Sequence, residues 1–230
     1  IIAIVPLSGG SNINLMRAES PGPSVGKLVP KVKHTARILY IIYLGLSLIE
    51  FIVLIAAKMP VFDAMNTTFG TAGTGGFGIK NTSLGGYSVT IQWIVTIFMM
   101  LFGVNFNAYY IMIFGSIKKA LSMEEVRAYF GIILTAIVII TINIYSICSG
   151  VWDAVTKSAF QVSSIITTTG FATTDFNIWP QTSKTILVLL MFVGACAGST
   201  GGGIKVSRFV ILIKTVIKEL NSYIHPRSVR

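Results

Sequence analysis

The sequence predicts an all-α membrane protein, with repeated helix–pore loop–helix units around a central ion pore. Three observations carry that prediction. The chain of 230 residues is 53% hydrophobic and only 11% charged, with a mean hydropathy of +0.77, whereas an ordinary soluble domain is about 25% charged. Its charge-free runs are long enough to cross a bilayer. A short Gly/Thr motif occurs twice, each time between two such runs.

The runs are explicit. Asn81 to Ile117, Ala128 to Trp152 and Thr185 to Ile204 hold no charged residue, and Ile38 to Ala57 holds only Glu50. Each reaches the ~20 residues that span hydrocarbon. Ile1 to Leu7 reads as the tail of an apolar helix, so residues 1–16 are expected to end a preceding repeat. No basic n-region with a cleavage site is evident, so no signal peptide is expected. Residues 17–35, with Pro21, Gly22, Pro23, Gly26 and Pro30, read as a cytoplasmic linker.

The first complete unit is expected over 36–118. It opens with a span at about 36–58. A helix too short to cross follows at about 62–71, with Asp63 as a favourable N-cap. A loop through Phe77 and Asn81 leads to a long apolar return over about 87–117. Residues 119–125 form a cytoplasmic connection. The second unit, 126–222, repeats the order: span at about 126–150, short helix from Asp153, loop to Phe176, return helix from about 183. Residues 223–230 read as a cytoplasmic tail.

The repeat is visible in the text. Val61-Phe62-Asp63-Ala64 leads to Thr74-Gly75-Gly76-Phe77, and Val151-Trp152-Asp153-Ala154 leads to Thr168-Thr169-Gly170-Phe171. The aspartates are offset from 63 to 153 and the phenylalanines from 77 to 171, so the second interval is longer by four residues, about one helical turn. The second short helix is therefore expected to be a turn longer. The second return helix carries Gly194-Ala195-Cys196-Ala197-Gly198-Ser199-Thr200-Gly201-Gly202-Gly203. Glycine inside a helix costs up to about 1 kcal/mol relative to alanine, so this run is expected to break the helix before it resumes at Val206.

The formal net charge of +10 is arranged by topology. Arg17, Lys27, Lys31, Lys33 and Arg37 precede the first full span. Lys118, Lys119 and Arg127 lie between the units. Lys205, Arg208, Lys214, Lys218, Arg227 and Arg230 follow the break. Only Lys58, Lys80, Lys157 and Lys184 fall in the motif-bearing segments. That asymmetry is the positive-inside bias. It places the basic linkers in the cytoplasm and both Gly/Thr loops towards the exterior of a multi-pass protein of the cell (inner) membrane. The basic surface then meets anionic lipid headgroups rather than nucleic acid.

Enzymatic readings find little support. Gly73-x-Gly75-x-x-Gly78 matches a dinucleotide fingerprint only on paper, because that motif needs a preceding strand and a βαβ unit. Neither glycine run ends in the Gly-Lys-Ser/Thr of a phosphate loop. Ser199 has no base near it in the text: the two histidines, His34 and His225, lie in basic-side segments. Cys148 and Cys196 form no metal-ligand spacing. No covalent chemistry and no transition metal are expected.

The Gly/Thr loops suit ion coordination. Lipid does not tolerate exposed irregular backbone, so such a loop at membrane depth lines a cavity or is buried in protein. A dehydrated K⁺ takes a ring of neutral oxygens, which backbone carbonyls and threonine hydroxyls supply. Asp175 reads either as a charge that concentrates cations at the mouth or as a local cap. A tandem-pore potassium channel fits Gly76-Phe77-Gly78 but not Gly170-Phe171-Ala172. An alternating-access carrier built from broken helices is a further reading, and a non-transporting scaffold is another.

At these residues the chain resembles the Trk/Ktr/HKT potassium transporter superfamily, in its TrkH-like branch of pore-forming subunits. The resembling text is Arg17-Ala18-Glu19 with Pro21-Gly22-Pro23, Thr74-Gly75-Gly76-Phe77, Thr167-Thr168-Thr169-Gly170-Phe171, Gly198-Ser199-Thr200-Gly201-Gly202-Gly203-Ile204-Lys205-Val206, and His225-Pro226-Arg227. The resemblance implies four helix–pore loop–helix repeats around one pore, of which this chain would hold the second and third. Two strands do not close a fourfold filter, so residues missing from this sequence, rather than a pairing of two chains, are expected to complete it. Gly76 and Gly170 would be the central filter glycines, with Thr74, Gly75, Thr168 and Thr169 supplying adjoining carbonyls to potassium ion. The break would be an intramembrane gating loop comprising Gly194, Gly198, Ser199, Thr200, Gly201, Gly202 and Gly203, with Lys205 at its end. The resemblance also implies potassium uptake, a homodimer and a cytosolic nucleotide-binding regulatory subunit.

Overall fold

The computed structural model describes residues 32–224. The expected tail of a preceding helix, most of the linker, and the residues after 224 lie outside the described residues.

Helix α1, Val32–Ala56, contains a membrane-length apolar stretch, Ala36–Ala56. Its outward face carries Tyr40, Ile41, Leu44, Leu48, Ile49, Ile52 and Ile55, all exposed. An apolar outer face of this extent suits lipid. Glu50 is turned from that face and fully buried, as acids within membrane spans generally are. Helix α2, Val61–Ala72, is short and runs back against α1. Its N-cap is Pro60, and Asp63 makes no cap bond. The expected cap is thus displaced: Pro60 fixes the helix start, and the Asp63 carboxylate instead accepts from the Tyr87 hydroxyl at 2.7 Å.

The stretch expected as one return helix is two. Helix α3, Val89–Phe102, and helix α4, Phe106–Phe114, meet at an 89° bend. Gly103 ends α3, and Asn105 starts α4 by accepting from the Asn107 amide at 2.9 Å. A C-terminal glycine followed by an N-cap asparagine is a stop and start signal in sequence. The unbroken apolar character of the run hides it.

A short helix α5, Ile117–Leu121, lies across the boundary expected at 118. Helix α6, Glu124–Ile144, extends through a 3-10 turn to Ile147 and is the second membrane-length span. Helix α7, Val151–Ile166, packs on α6 and on α3. It has 16 residues against 12 in α2, which is the extra turn that the aspartate and phenylalanine offsets imply. Helix α8, Gln181–Phe192, is the start of the second return, and helix α9, Val206–Ile224, resumes after the glycine-rich break. The order α1–α2–loop–α3 thus recurs as α6–α7–loop–α8.

Trp179, with indole character suited to a membrane interface, is instead 3% exposed and packed in the core shared by α6, α7 and α8. Replacing it with Phe should cost about 1–2 kcal/mol of stability, less than the 3–5 kcal/mol of a truncation to alanine. K⁺/Na⁺ selectivity of the full-length protein should be unchanged. A loss comparable to that of a Gly76 or Gly170 variant, measured as reversal potential, would place Trp179 on the ion path.

Candidate functional site

The two loops after α2 and α7 have the same backbone. The Gly75 and Gly76 amides both donate to the Gly70 carbonyl, at 2.8 and 3.3 Å. The Thr169 and Gly170 amides both donate to the Ser164 carbonyl, at 2.9 and 3.3 Å. One position earlier, Thr74 donates to Thr71 at 3.1 Å and Thr168 to Ile165 at 3.0 Å. These bonds satisfy carbonyls that a helix end leaves open. They also fix each strand to its own short helix.

The dihedrals match as well. Thr74 and Gly76 have φ of 50° and 65°, and Thr168 and Gly170 have 58° and 89°. The intervening Gly75 and Thr169 are not in this region. A left-handed threonine costs about 1–3 kcal/mol, and such strain concentrates at functional sites. It occurs here twice at equivalent positions.

The strands are adjacent but not alike in surroundings. A Cβ built on Gly76 would lie 2.0 Å from the Thr169 carbonyl oxygen, whereas one on Gly170 would meet nothing within 4 Å. Phe171 is 1% exposed and its ring lies against Gly70; Phe77, at the equivalent position, is 78% exposed. Beyond the two Gly/Thr strands, the Ser83 hydroxyl accepts from the Ala172 amide at 3.2 Å, and the Leu84 amide donates to the Ala172 carbonyl at 3.0 Å. The segment after the first strand therefore clasps the exit of the second.

Acids near the loops are engaged locally. Asp175 accepts from the Asn177 amide and side chain at 2.9 and 2.8 Å, so the capping alternative is the one seen. Asp153 pairs with Lys157 at 2.7 Å, and that ammonium holds the carboxyl below its usual range. The Tyr87 hydroxyl is pushed up to about 12 by burial and by its bond to Asp63.

The glycine-rich segment between α8 and α9 closes on itself. The Gly194 amide donates to Ile204 at 2.8 Å and the Val206 amide to Ala195 at 3.2 Å, which pins its neck. Its body lies along the α3/α4 bend: Cys196 donates to the Gly103 carbonyl at 3.0 Å, and the Phe106 amide donates to Gly198 at 3.1 Å. Both strands touch it through equivalent threonines. The Thr74 hydroxyl donates to the Thr200 carbonyl at 3.1 Å, and the Thr168 hydroxyl accepts from the Gly202 amide at 2.7 Å. The Lys205 ammonium donates to the Gly201 carbonyl within the loop. The structure thus brings Thr74, Thr168, Thr200, Gly201, Gly202 and Lys205 together, with Gly76 and Thr169 beside them.

Comparison with known proteins gives the family. The sequence profile of the TrkH family, described as cation transport proteins, matches residues 2–230. The chain belongs to the TrkH family. It is 36% identical to the Trk system potassium uptake protein TrkH of Salmonella typhimurium, over 99% of this chain and 48% of that protein. It is 34% identical to the Trk system potassium uptake protein TrkG of Escherichia coli, again over 99% of this chain and 48% of that protein. The crystal structure of the potassium transporter TrkH from Vibrio parahaemolyticus superposes with a TM-score of 0.83 at 32% identity, covering 94% of this chain and 47% of that one. The chain spans about half the length of the curated relatives it matches. This TrkH-family chain shares their helical membrane fold, and the family assignment displaces the tandem-pore alternative.

Proposed function

We propose that this chain supplies two of the pore-loop repeats of a potassium-uptake protein of the cell membrane. The observation that carries the reading is the pair of loops with one backbone, repeated hydrogen bond for hydrogen bond, whose threonines both meet a single glycine-rich segment. Positive φ at every second residue takes each strand out of regular helix or sheet, which supports carbonyls aimed at a cation, whose hydration shell stacked carbonyls replace. Thr74, Gly75, Gly76, Thr168, Thr169 and Gly170 are the coordinating positions on this reading. The segment from Gly194 to Lys205 lies against the inner ends of both strands and gates them.

The charge asymmetry supports an exterior position for the filters and a cytoplasmic one for the basic segments. K⁺ is the transported ion rather than a resident cofactor, and no covalent step is needed. The exposed Phe77, whose counterpart Phe171 seats on the neighbouring repeat, supports further repeats flanking these two. The homodimer and the nucleotide-binding regulatory subunit belong to the same proposal and rest on family resemblance. The direct test is ion flux into liposomes holding the purified full-length protein. Uptake of K⁺ in preference to Na⁺ is expected. Equal permeation, or no flux beyond protein-free vesicles under activating conditions, would refute the reading.

A further inference from the structure

A group that the filter and the loop do not themselves contain connects the two helix breaks. Glu125, in the first turn of α6, accepts through Oε1 from the Ala197 amide at 2.5 Å. Through Oε2 it accepts from the Asn105 side-chain amide at 3.2 Å. Ala197 is in the glycine-rich loop, and Asn105 is the N-cap at the α3/α4 bend. Both partners are buried, at 7% and 8% exposed. Hydrogen bonds to an ionised carboxylate are about twice as strong as neutral ones. The adjacent Glu124 pairs with Lys214 of α9 at 2.6 Å, so the same turn of α6 also touches the helix that follows the loop.

We propose that Glu125 is the positioning residue that latches the glycine-rich loop in its closed place, by joining it to the bend of the other return helix. The proposal rests on the reading of that segment as a gate. The loop's contacts with Gly103, Phe106 and the filter threonines are neutral backbone or hydroxyl bonds. Glu125 adds a charged acceptor anchored in a membrane-length helix. Opening must break its bond to Ala197 or move α6 with the loop. Among the described residues, Glu125 makes no hydrogen bond to a coordinating residue of the filter, so it acts on gating and not on ion choice.

The test measures K⁺ flux into liposomes with the full-length protein under closed conditions, together with the K⁺/Na⁺ ratio. Glu125→Ala should raise closed-state flux about tenfold, the size expected from losing a hydrogen bond to a charged group, with the ratio kept. Glu125→Gln sets an amide donor against the Asn105 donor, and Asn105→Asp sets two carboxylates together; each should raise the flux. The double substitution restores a donor facing an acceptor, and aspartate still caps α4, so flux should return close to the parent value. A merely loosened helix would not be rescued by this exchange. A deletion of residues 199–202 runs in parallel. If it raises flux and Glu125→Ala does not, the latch is wrong and the gate stands. If neither raises flux, the gate reading fails and the latch with it. Should Glu125→Ala not reach the membrane, the single and paired exchanges decide, and a pair no closer to parent than its singles overturns the proposal.

Discussion

Serine at Gly76 or Gly170 is expected to abolish most of the K⁺ over Na⁺ preference of the full-length protein. Both glycines have positive φ, 65° and 89°, where a side chain costs about 1–3 kcal/mol. A side chain there must also displace the neighbouring carbonyls that would set the choice between ions, and a fall of about tenfold in the permeability ratio, equivalent to about 1.4 kcal/mol of discrimination, is expected. The two substitutions should differ in a second readout. A Cβ on Gly76 meets the Thr169 carbonyl at 2.0 Å, while Gly170 faces open space. Gly76→Ser must therefore push the strands apart and should also lower thermal stability or membrane abundance. Gly170→Ser carries the backbone strain without that clash, so it should lower abundance less while still changing selectivity. Unchanged ratios in both variants at normal abundance would remove these strands from the ion path.

Shortening the glycine-rich loop is expected to raise K⁺ flux under closed conditions with selectivity largely kept. Removing residues 199–202 deletes the Thr200 carbonyl that accepts from Thr74 and the Gly202 amide that donates to Thr168. It also deletes the Thr200 amide bond to Phe102, at 3.4 Å. Each such bond is worth about 0.5–1.5 kcal/mol net, so the closed arrangement should weaken by at least about tenfold. Dependence on any regulator should weaken in parallel. Lys205→Ala should act in the same direction but less, because it removes the ammonium bond to Gly201 and leaves the threonine contacts. A correctly folded deletion variant that conducts no better than the parent would identify the segment as a packing kink.

Much of this was legible in the text because periodicity and charge are local signals. The spans of α1 and α6, the short helices, the extra turn of α7 and the break after Phe192 all follow from apolar run length, aspartate spacing and clustered glycine. The α3/α4 bend was not, because one glycine and one asparagine sit in a run with no charge, and hydropathy is blind to a change of direction. Asp63 looks like a cap in the sequence because acids favour the first helical turn for two reasons, capping and the dipole. Here the third position reaches Tyr87 instead. Trp179 illustrates the same limit: its residue type favours an interface, but packing decides its place. Glu125 gave no signal at all. An acid in a first turn looks like dipole compensation, and its partner Ala197 is 72 residues away, so only the fold reveals the contact.

The claim that the two strands share one ion path is tested most directly by diffraction from the full-length protein grown in Rb⁺, a K⁺ analogue with an anomalous signal. The account predicts anomalous peaks at coordinating distance from the carbonyl oxygens of Thr74 to Gly76 and of Thr168 to Gly170, in positions shared by both strands. Well-ordered crystals whose Rb⁺ peaks lie along a different route, with none between these strands, would contradict it.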